Sequence, residues 1–139
     1  MMETEKKEQK QEDFITYHDI FALALAYTSS TKFNSNHNQW HKAFYEICQK
    51  HKKNVPELRD IRFERRPPLP PQSEEVYDLR RVLGETGWIW EDGPFFKVTH
   101  MEDELKKKVI NDEQERLRKY EEQIRDMALI FEKHLTLKK

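Results

Sequence analysis

Two stretches in the first third of the chain place their hydrophobic residues at the spacing of amphipathic helices. The first begins at Asp13, a suitable N-cap, and ends near residues 29–31. Its apolar face comprises Phe14, Tyr17, Phe21, Ala24, Leu25 and Thr28. The second ends before Pro56, because the residue ahead of a proline avoids helical geometry. Its apolar face comprises Trp40, Ala43, Phe44 and Ile47.

A third helix is predicted from the segment QSEEVYDLRRVLG, residues 72–84. Ser73 is a suitable N-cap, and the two glutamates that follow it favour the positive end of a helix. The buried stripe comprises Val76, Leu79 and Leu83, and Gly84 is the predicted terminator. Residues 56–66, between the second helix and the prolines, fit either a short helix or an extended strand.

The segment WIWEDGPFFKV, residues 88–98, predicts a β-hairpin, because two aromatic and β-branched runs flank the turn signal EDGP. Trp88 and Trp90 would share one face of the hairpin, with Ile89 on the other. One face is expected to pack on the third helix. The other could stack on bases or contact a partner, although burial in the core or in a dimer is favoured.

Residues 102–137 contain no proline or glycine and are predicted to form one long helix. Its apolar residues recur every seven positions, with two more at the intermediate spacing: Ile110, Leu117, Tyr120, Ile124, Met127 and Phe131. About 36 helical residues would span roughly 54 Å, more than the rest of this chain can cover. A homodimer joined along this stripe is therefore expected; the alternative is a helix that folds back on the first two.

The composition favours a compact folded part with a highly charged helical part, since 37% of the residues are charged, 36% hydrophobic and 12% aromatic. Residues 1–12 are charged, lack the apolar core of a signal peptide and are expected to be a disordered tail. Cys48 is the single cysteine, so no intrachain disulfide can form. The longest apolar run, residues 20–27, is too short to cross a membrane. A cytoplasmic protein without a cofactor is expected.

The net charge of −1 is unevenly distributed along the chain. Residues 32–81 carry eleven basic and seven acidic side chains, whereas the segments before and after them carry an acidic excess. The basic middle is therefore the part most suited to face phosphate groups.

Residues 76–100, VYDLRRVLGETGWIWEDGPFFKVTH, resemble the run from recognition helix to wing in the winged-helix DNA-binding superfamily. A helix ends in the turn LGETG, the strand WIW and the turn EDG follow, and a second strand closes on Val-Thr. The order of elements over residues 14–110 is similar to that of the same superfamily. The resemblance implies a mainly α fold with one β-hairpin, a winged-helix-like domain over residues 13–100 and a long dimerisation helix over residues 101–139.

The resemblance further implies that the third helix enters the major groove of double-stranded DNA while the wing lies beside the backbone. Arginines suit this role, because the guanidinium group matches guanine edges and phosphate oxygens. The expected nucleic-acid contacts are Arg62, Arg65, Arg66, Tyr77, Arg80 and Arg81. A dimeric transcriptional regulator without enzymatic activity is the function that this pattern favours.

Two features depart from the superfamily pattern and favour a second hypothesis. Glu74 and Glu75 begin the third helix, where groove-reading residues usually lie, and Glu91 and Asp92 make the tip of the wing acidic. Both pairs would repel phosphate. They favour a protein-interaction module, an adaptor with the same fold that does not bind DNA.

The proline-rich segment RRPPLPP, residues 65–71, matches the spacing of a polyproline II ligand for an SH3-like groove. Such ligands usually lie in disordered tails, whereas this segment lies between two predicted helices. The favoured interpretation is a stiff connector, because proline fixes φ and so orients the third helix.

A metal-dependent enzyme is the weakest of the functional hypotheses. His37 and His41 are four residues apart and could share a zinc ion, but Cys48 lies too far along the helix to complete that site. The sequence contains no glycine-rich phosphate-binding loop and singles out no catalytic triad. No metal ligands are therefore assigned.

Overall fold

The computed structural model of the chain describes residues 15–91 and 98–137. In chain order its elements are α1 (Tyr17–Tyr27), β1 (Lys32–Asn34), α2 (His37–His51), a 3-10 turn (Pro56–Asp60), α3 (Glu74–Glu85), β2 (Trp90–Glu91), β3 (Val98–His100), α4 (Asp103–Glu113), a second 3-10 turn (Arg118–Tyr120) and α5 (Glu121–Leu135). The prediction of a mainly helical fold with paired antiparallel strands is confirmed; β2 and β3 are the strands of the predicted wing.

Helix α1 begins with a capping box, in which the Thr16 side chain and the Asp19 side chain each accept a hydrogen bond from the other's backbone N–H. The expected cap, Asp13, lies outside the described residues. All residues from Ile20 to Ala26 are buried. A helix that is apolar on every side must be covered on every side. In the described part of the chain no helix is both long and apolar enough to span a bilayer.

Helices α2 and α3 form where the sequence predicts them. Asn36 caps α2 by accepting hydrogen bonds from two backbone N–H groups, and Ser73 caps α3 by accepting from the backbone of Val76. Helix α3 continues one residue beyond the expected terminator Gly84. The left-handed conformation that ends the helical region belongs instead to Gly87, with φ of 84°.

The sheet has three strands in the order β1-β3-β2, all antiparallel. The pairing of Trp90 with His100 confirms the hairpin, whose tip, residues 92–97, lies outside the described residues. Strand β1 was not predicted. It pairs with β3 so that Phe33 lies opposite Thr99, which ties the link between α1 and α2 to the wing. This sheet, with α1, α2 and α3, is compatible with a winged-helix-like arrangement.

The C-terminal segment is helical as expected, but it is not one continuous helix. After α4 the chain turns at Leu117 and then enters α5 at Glu121. The turn lets α4 pack on α1 and lets α5 pack on both α1 and α2. Leu117 is fully buried at the turn. Without the turn, a straight helix would extend away from α1 and α2.

The proposed dimer seam is therefore corrected to a part of the monomer's own core. Leu117, Tyr120, Ile124, Met127 and Phe131 are all buried by the same chain. Ile110, the sixth residue of that stripe, is partly buried against the same core. Folding back on the first two helices, the alternative considered for this segment, is confirmed. The core runs from Ile20 to Leu135 without interruption, so the expected boundary after residue 100 falls inside one hydrophobic cluster.

Candidate functional site

Arg80, on helix α3, is buried and does not face outward as expected for a nucleic-acid contact. Its Nη2 donates to Glu91 Oε1 at 2.9 Å and its Nη1 lies 2.8 Å from His37 Nδ1. The guanidinium carbon lies 4.4 Å from the centre of the Trp40 ring. Burial lowers the pKa of Arg80, and the neighbouring carboxylate of Glu91 opposes that shift. The predicted DNA contact of Arg80 is wrong, because its side chain is buried and bonded to other residues of the same chain.

Glu91 joins the wing to the rest of the domain and does not extend into solvent as part of an acidic tip. Its Oε2 accepts hydrogen bonds from Ser35 Oγ at 2.8 Å and from Thr99 Oγ1 at 2.9 Å. Arg80 Nη2 also donates to the backbone oxygen of Ser35 at 3.3 Å. Helix α3, strands β2 and β3 and the residue after β1 therefore meet in one polar network, which fixes the base of the wing relative to α3.

The exposed face of α3 is acidic. It presents Arg81 as its only cation, and Arg81 is already paired with Asp78 at 2.5 Å and with Glu85 at 2.9 Å. Glu74 also faces solvent. In a winged-helix protein that reads DNA this face would approach phosphates, so its carboxylates disfavour the DNA hypothesis.

A shallow depression of about 490 Å³ lies at the start of this face. Its aromatic walls are Tyr17 of α1 and Tyr77 of α3, and its polar lining comprises Glu74, Glu75, Asp78 and Arg81. Burial raises the pKa of Tyr17, and the negative charges of Glu75, Asp78 and Asp60 raise it further. The three carboxylates would favour a positive charge placed beside Tyr17, whereas burial itself favours a charge of neither sign.

Tyr77 is held in place although its side chain is 44% exposed. Its hydroxyl donates to Gln72 Oε1 at 3.1 Å, and its ring centre lies 4.6 Å from that of His41. The aromatic wall of the depression is therefore positioned before any partner binds, which reduces the entropic cost of binding.

His41, on α2, contacts the N-terminus of α3. Its Nδ1 accepts a hydrogen bond from the backbone N–H of Ser73 at 3.1 Å, and the side chain is fully buried. Burial lowers the pKa of His41 to about 4, and the positive charges of His37 and Arg80 add to that shift. The Nδ1 atoms of both histidines thus already face protein donors. Over residues 15–91 and 98–137, no group of three or more His, Cys, Asp or Glu side chains is arranged to hold a metal ion.

Lowering the pH from 7 to 4 is expected to remove about 3 kcal/mol of stability through His41 alone. The unfolded histidine titrates near 6.5 and the folded one near 4. Between these values the unfolded state binds the extra proton, so the stability falls as the pH falls through this window and is constant below it. Urea unfolding at several pH values measures the slope.

The matched control for this prediction is His41→Gln, which retains a side-chain oxygen that can accept a hydrogen bond but does not titrate. The three side chains that face the ring, Tyr77, His37 and Arg80, are unchanged in it. The difference in stability between wild type and variant should shrink between pH 6.5 and 4. A difference that is independent of pH would contradict the assignment.

The arginines of the connector, and Arg62 just before it, remain at the surface, as expected. Arg66 forms an exposed ion pair with Glu64 at 2.8 Å, and the backbone N–H of Arg62 donates to Glu75 at 2.6 Å. Glu64 and Gln72 pair through two backbone hydrogen bonds, so residues 65–71 form a closed loop whose apex, Leu69, is 48% exposed. A closed loop differs from the extended ligand of an SH3-like groove and agrees with the connector interpretation.

Sequence reasoning missed the partners of Arg80 and reversed its orientation. Ser35 and Thr99 are small polar residues without a distinguishing local pattern. A signal for Arg80 was present, however, because residues 76, 80 and 83 follow the i, i+4, i+7 spacing of one helical face.

Comparisons of the chain with protein-family models, with curated proteins and with solved structures find no match.

Proposed function

We propose that this chain is a winged-helix-like protein-interaction module whose α3 face docks a basic segment of a partner protein. The observation that carries the proposal is the depression bounded by Tyr17 and Tyr77, with Glu74, Glu75 and Asp78 in its lining. A lysine or arginine side chain placed there meets carboxylates and two aromatic side chains, both of which can attract a cation.

The state of the arginines supports this proposal over the DNA hypothesis. Arg80 is buried, and Arg81 is paired on both sides with carboxylates of its own helix. Neither is available to a phosphate without breaking those contacts. Arg62, Arg65 and Arg66 are exposed, but they lie on the connector or just before it and not on α3.

The test is a peptide-display selection against the full chain, followed by affinity measurements on the selected peptides. We expect enrichment of Lys and Arg beside one apolar or aromatic residue. The triple variant Glu74→Gln, Glu75→Gln, Asp78→Asn should weaken their binding by about 10- to 30-fold, since each exposed charge pair contributes up to about 1 kcal/mol. The loss should diminish at high salt.

The control is a variant with the same change in net charge in the C-terminal segment, Asp112→Asn, Glu115→Gln, Glu122→Gln, whose positions are exposed. Equal weakening in both variants would mean that only the net charge matters, and selection of peptides without basic residues would also contradict the proposal.

DNA binding is the second candidate, and the arrangement of α3 beside a paired wing favours it. Titration of a labelled duplex at two salt concentrations distinguishes the candidates, because phosphate contacts give a steep salt dependence. The adaptor proposal expects no such binding. Duplex binding that Arg62→Ala, Arg65→Ala and Arg66→Ala together abolish would support a DNA-binding protein.

A further inference from the structure

A second cleft, of about 540 Å³, lies between the end of α2, the first 3-10 turn and the connector. Its volume falls in the range of small-molecule sites, which is about 300–1,000 Å³. It shares none of its lining residues with the depression on α3. The cleft is therefore a separate surface that the proposed adaptor function does not use.

The polar lining of this cleft is entirely basic or neutral. Four of its residues are cations and none is acidic: Lys52, Lys53, Arg59 and Arg65. Among residues 15–91 and 98–137, none of these four side chains forms an ion pair, although many other cations of the chain do. Four positive charges on one cleft produce a field that attracts an anion.

The remaining lining is largely apolar. Phe63 and Tyr45 meet edge to face with their ring centres 5.2 Å apart, and Leu58, Ile61 and Pro71 complete the wall. Cys48 is buried at the same site, and burial raises the pKa of its thiol to about 12, so the thiol is neutral at physiological pH. An apolar wall of this kind favours the body of an organic molecule over a hydrated inorganic ion.

We propose that this cleft binds a small amphipathic anion, an apolar body of aromatic or aliphatic carbon that carries one carboxylate or phosphate group. The apolar body lies against Tyr45 and Phe63, and the anionic group faces the lysines and arginines. Because Arg65 and Pro71 belong to the connector that leads into α3, such a ligand links the end of α2 to the segment that positions the α3 face.

The first probe is 8-anilinonaphthalene-1-sulfonate, an aromatic anion whose fluorescence rises in apolar surroundings. We expect saturable binding to the folded full chain with one site per molecule. The double variant Lys52→Gln, Arg65→Gln should weaken binding at least tenfold. The matched variant Lys107→Gln, Arg118→Gln, at exposed positions with the same change in charge, should leave it unchanged.

Competition then identifies the anionic group. Octanoate and octyl phosphate should displace the probe, and the one that does so at lower concentration is the preferred chemistry. Octanol, with the same alkyl chain and no charge, should displace it at least tenfold less well. Inorganic phosphate alone should be ineffective, because it lacks the apolar body.

Several outcomes would overturn the proposal. These are the absence of saturable fluorescence, equal weakening in the matched variant, or displacement by octanol as effective as that by octanoate. Probe affinity that falls as the protein concentration rises would assign the cleft to a second copy of the chain. Backbone NMR shifts upon addition of the probe should centre on Gln49 and Lys52, and shifts centred on the sheet would place the site elsewhere.

Discussion

Phe131→Ala is expected to lower the free energy of unfolding by about 4 kcal/mol, the largest effect predicted for this chain. Phe131 is fully buried, and its ring centre lies 5.2 Å from that of Phe44, 6.0 Å from that of Phe21 and 6.3 Å from that of Trp40. These four rings belong to α1, α2 and α5. Truncation leaves a cavity where three helices meet, and urea unfolding followed by circular dichroism measures its cost.

Leu129→Ala on the same helix is the control, because Leu129 is 63% exposed and should change the stability by less than about 0.5 kcal/mol. The unfolding midpoint should also be independent of protein concentration. A midpoint that rises with concentration, together with similar costs for the two variants, would mean that α5 is buried by a second copy and not by its own chain.

Glu91→Ala is expected to cost about 3 kcal/mol, because it leaves the guanidinium of Arg80 buried and without its carboxylate. The side chain of Arg80 is only 8% exposed, and its other hydrogen-bond partners are the neutral groups of His37, Ser35 and Thr99. Glu91 itself is 29% exposed. Chemical unfolding of Glu91→Ala, of Arg80→Met and of the two substitutions combined completes a double-mutant cycle.

The double variant should be more stable than the sum of the single losses implies, since removing both charges leaves none uncompensated. Arg81→Met supplies the comparison at the adjacent residue, where both ion pairs are exposed, and should leave the stability unchanged. If Arg80 and Arg81 substitutions behaved alike, the buried network would be refuted. For the same reason, loss of DNA binding in an Arg80 variant would report damage to the fold and not a lost phosphate contact.

Local pattern was sufficient for the elements whose caps and apolar faces lie close together in sequence. Helices α2 and α3 and the paired strands of the wing are examples. Strand β1 could not be predicted, because its three residues, Lys-Phe-Asn, gain their conformation from pairing with a strand 66 residues later. The turn at Leu117 was also hidden, since neither proline nor glycine marks it and the heptad spacing continues through it.

In the candidate site, too, features set by neighbouring residues could be predicted, whereas contacts between residues far apart in the sequence could not. The acidic start of α3 and the outward direction of Tyr77 could be predicted from the sequence. Helical spacing alone places Arg80 on the same face as Val76 and Leu83. Its partner Glu91 is brought to α3 by the pairing of β2 with β3, which no local pattern around Arg80 indicates. The basic cleft was missed because its cations come from α2, the 3-10 turn and the connector.

The covering of α1 has a consequence for the way the chain must fold. This helix is the most apolar element, yet two of the helices that bury it, α4 and α5, are about 80 to 110 residues further along the chain. Because the chain is synthesised at about 5–20 residues per second, α1 is complete several seconds before those helices have been synthesised. The nascent chain thus exposes the apolar surface of α1 for that time. Stalled or shortened translation products should therefore be strong substrates for chaperones.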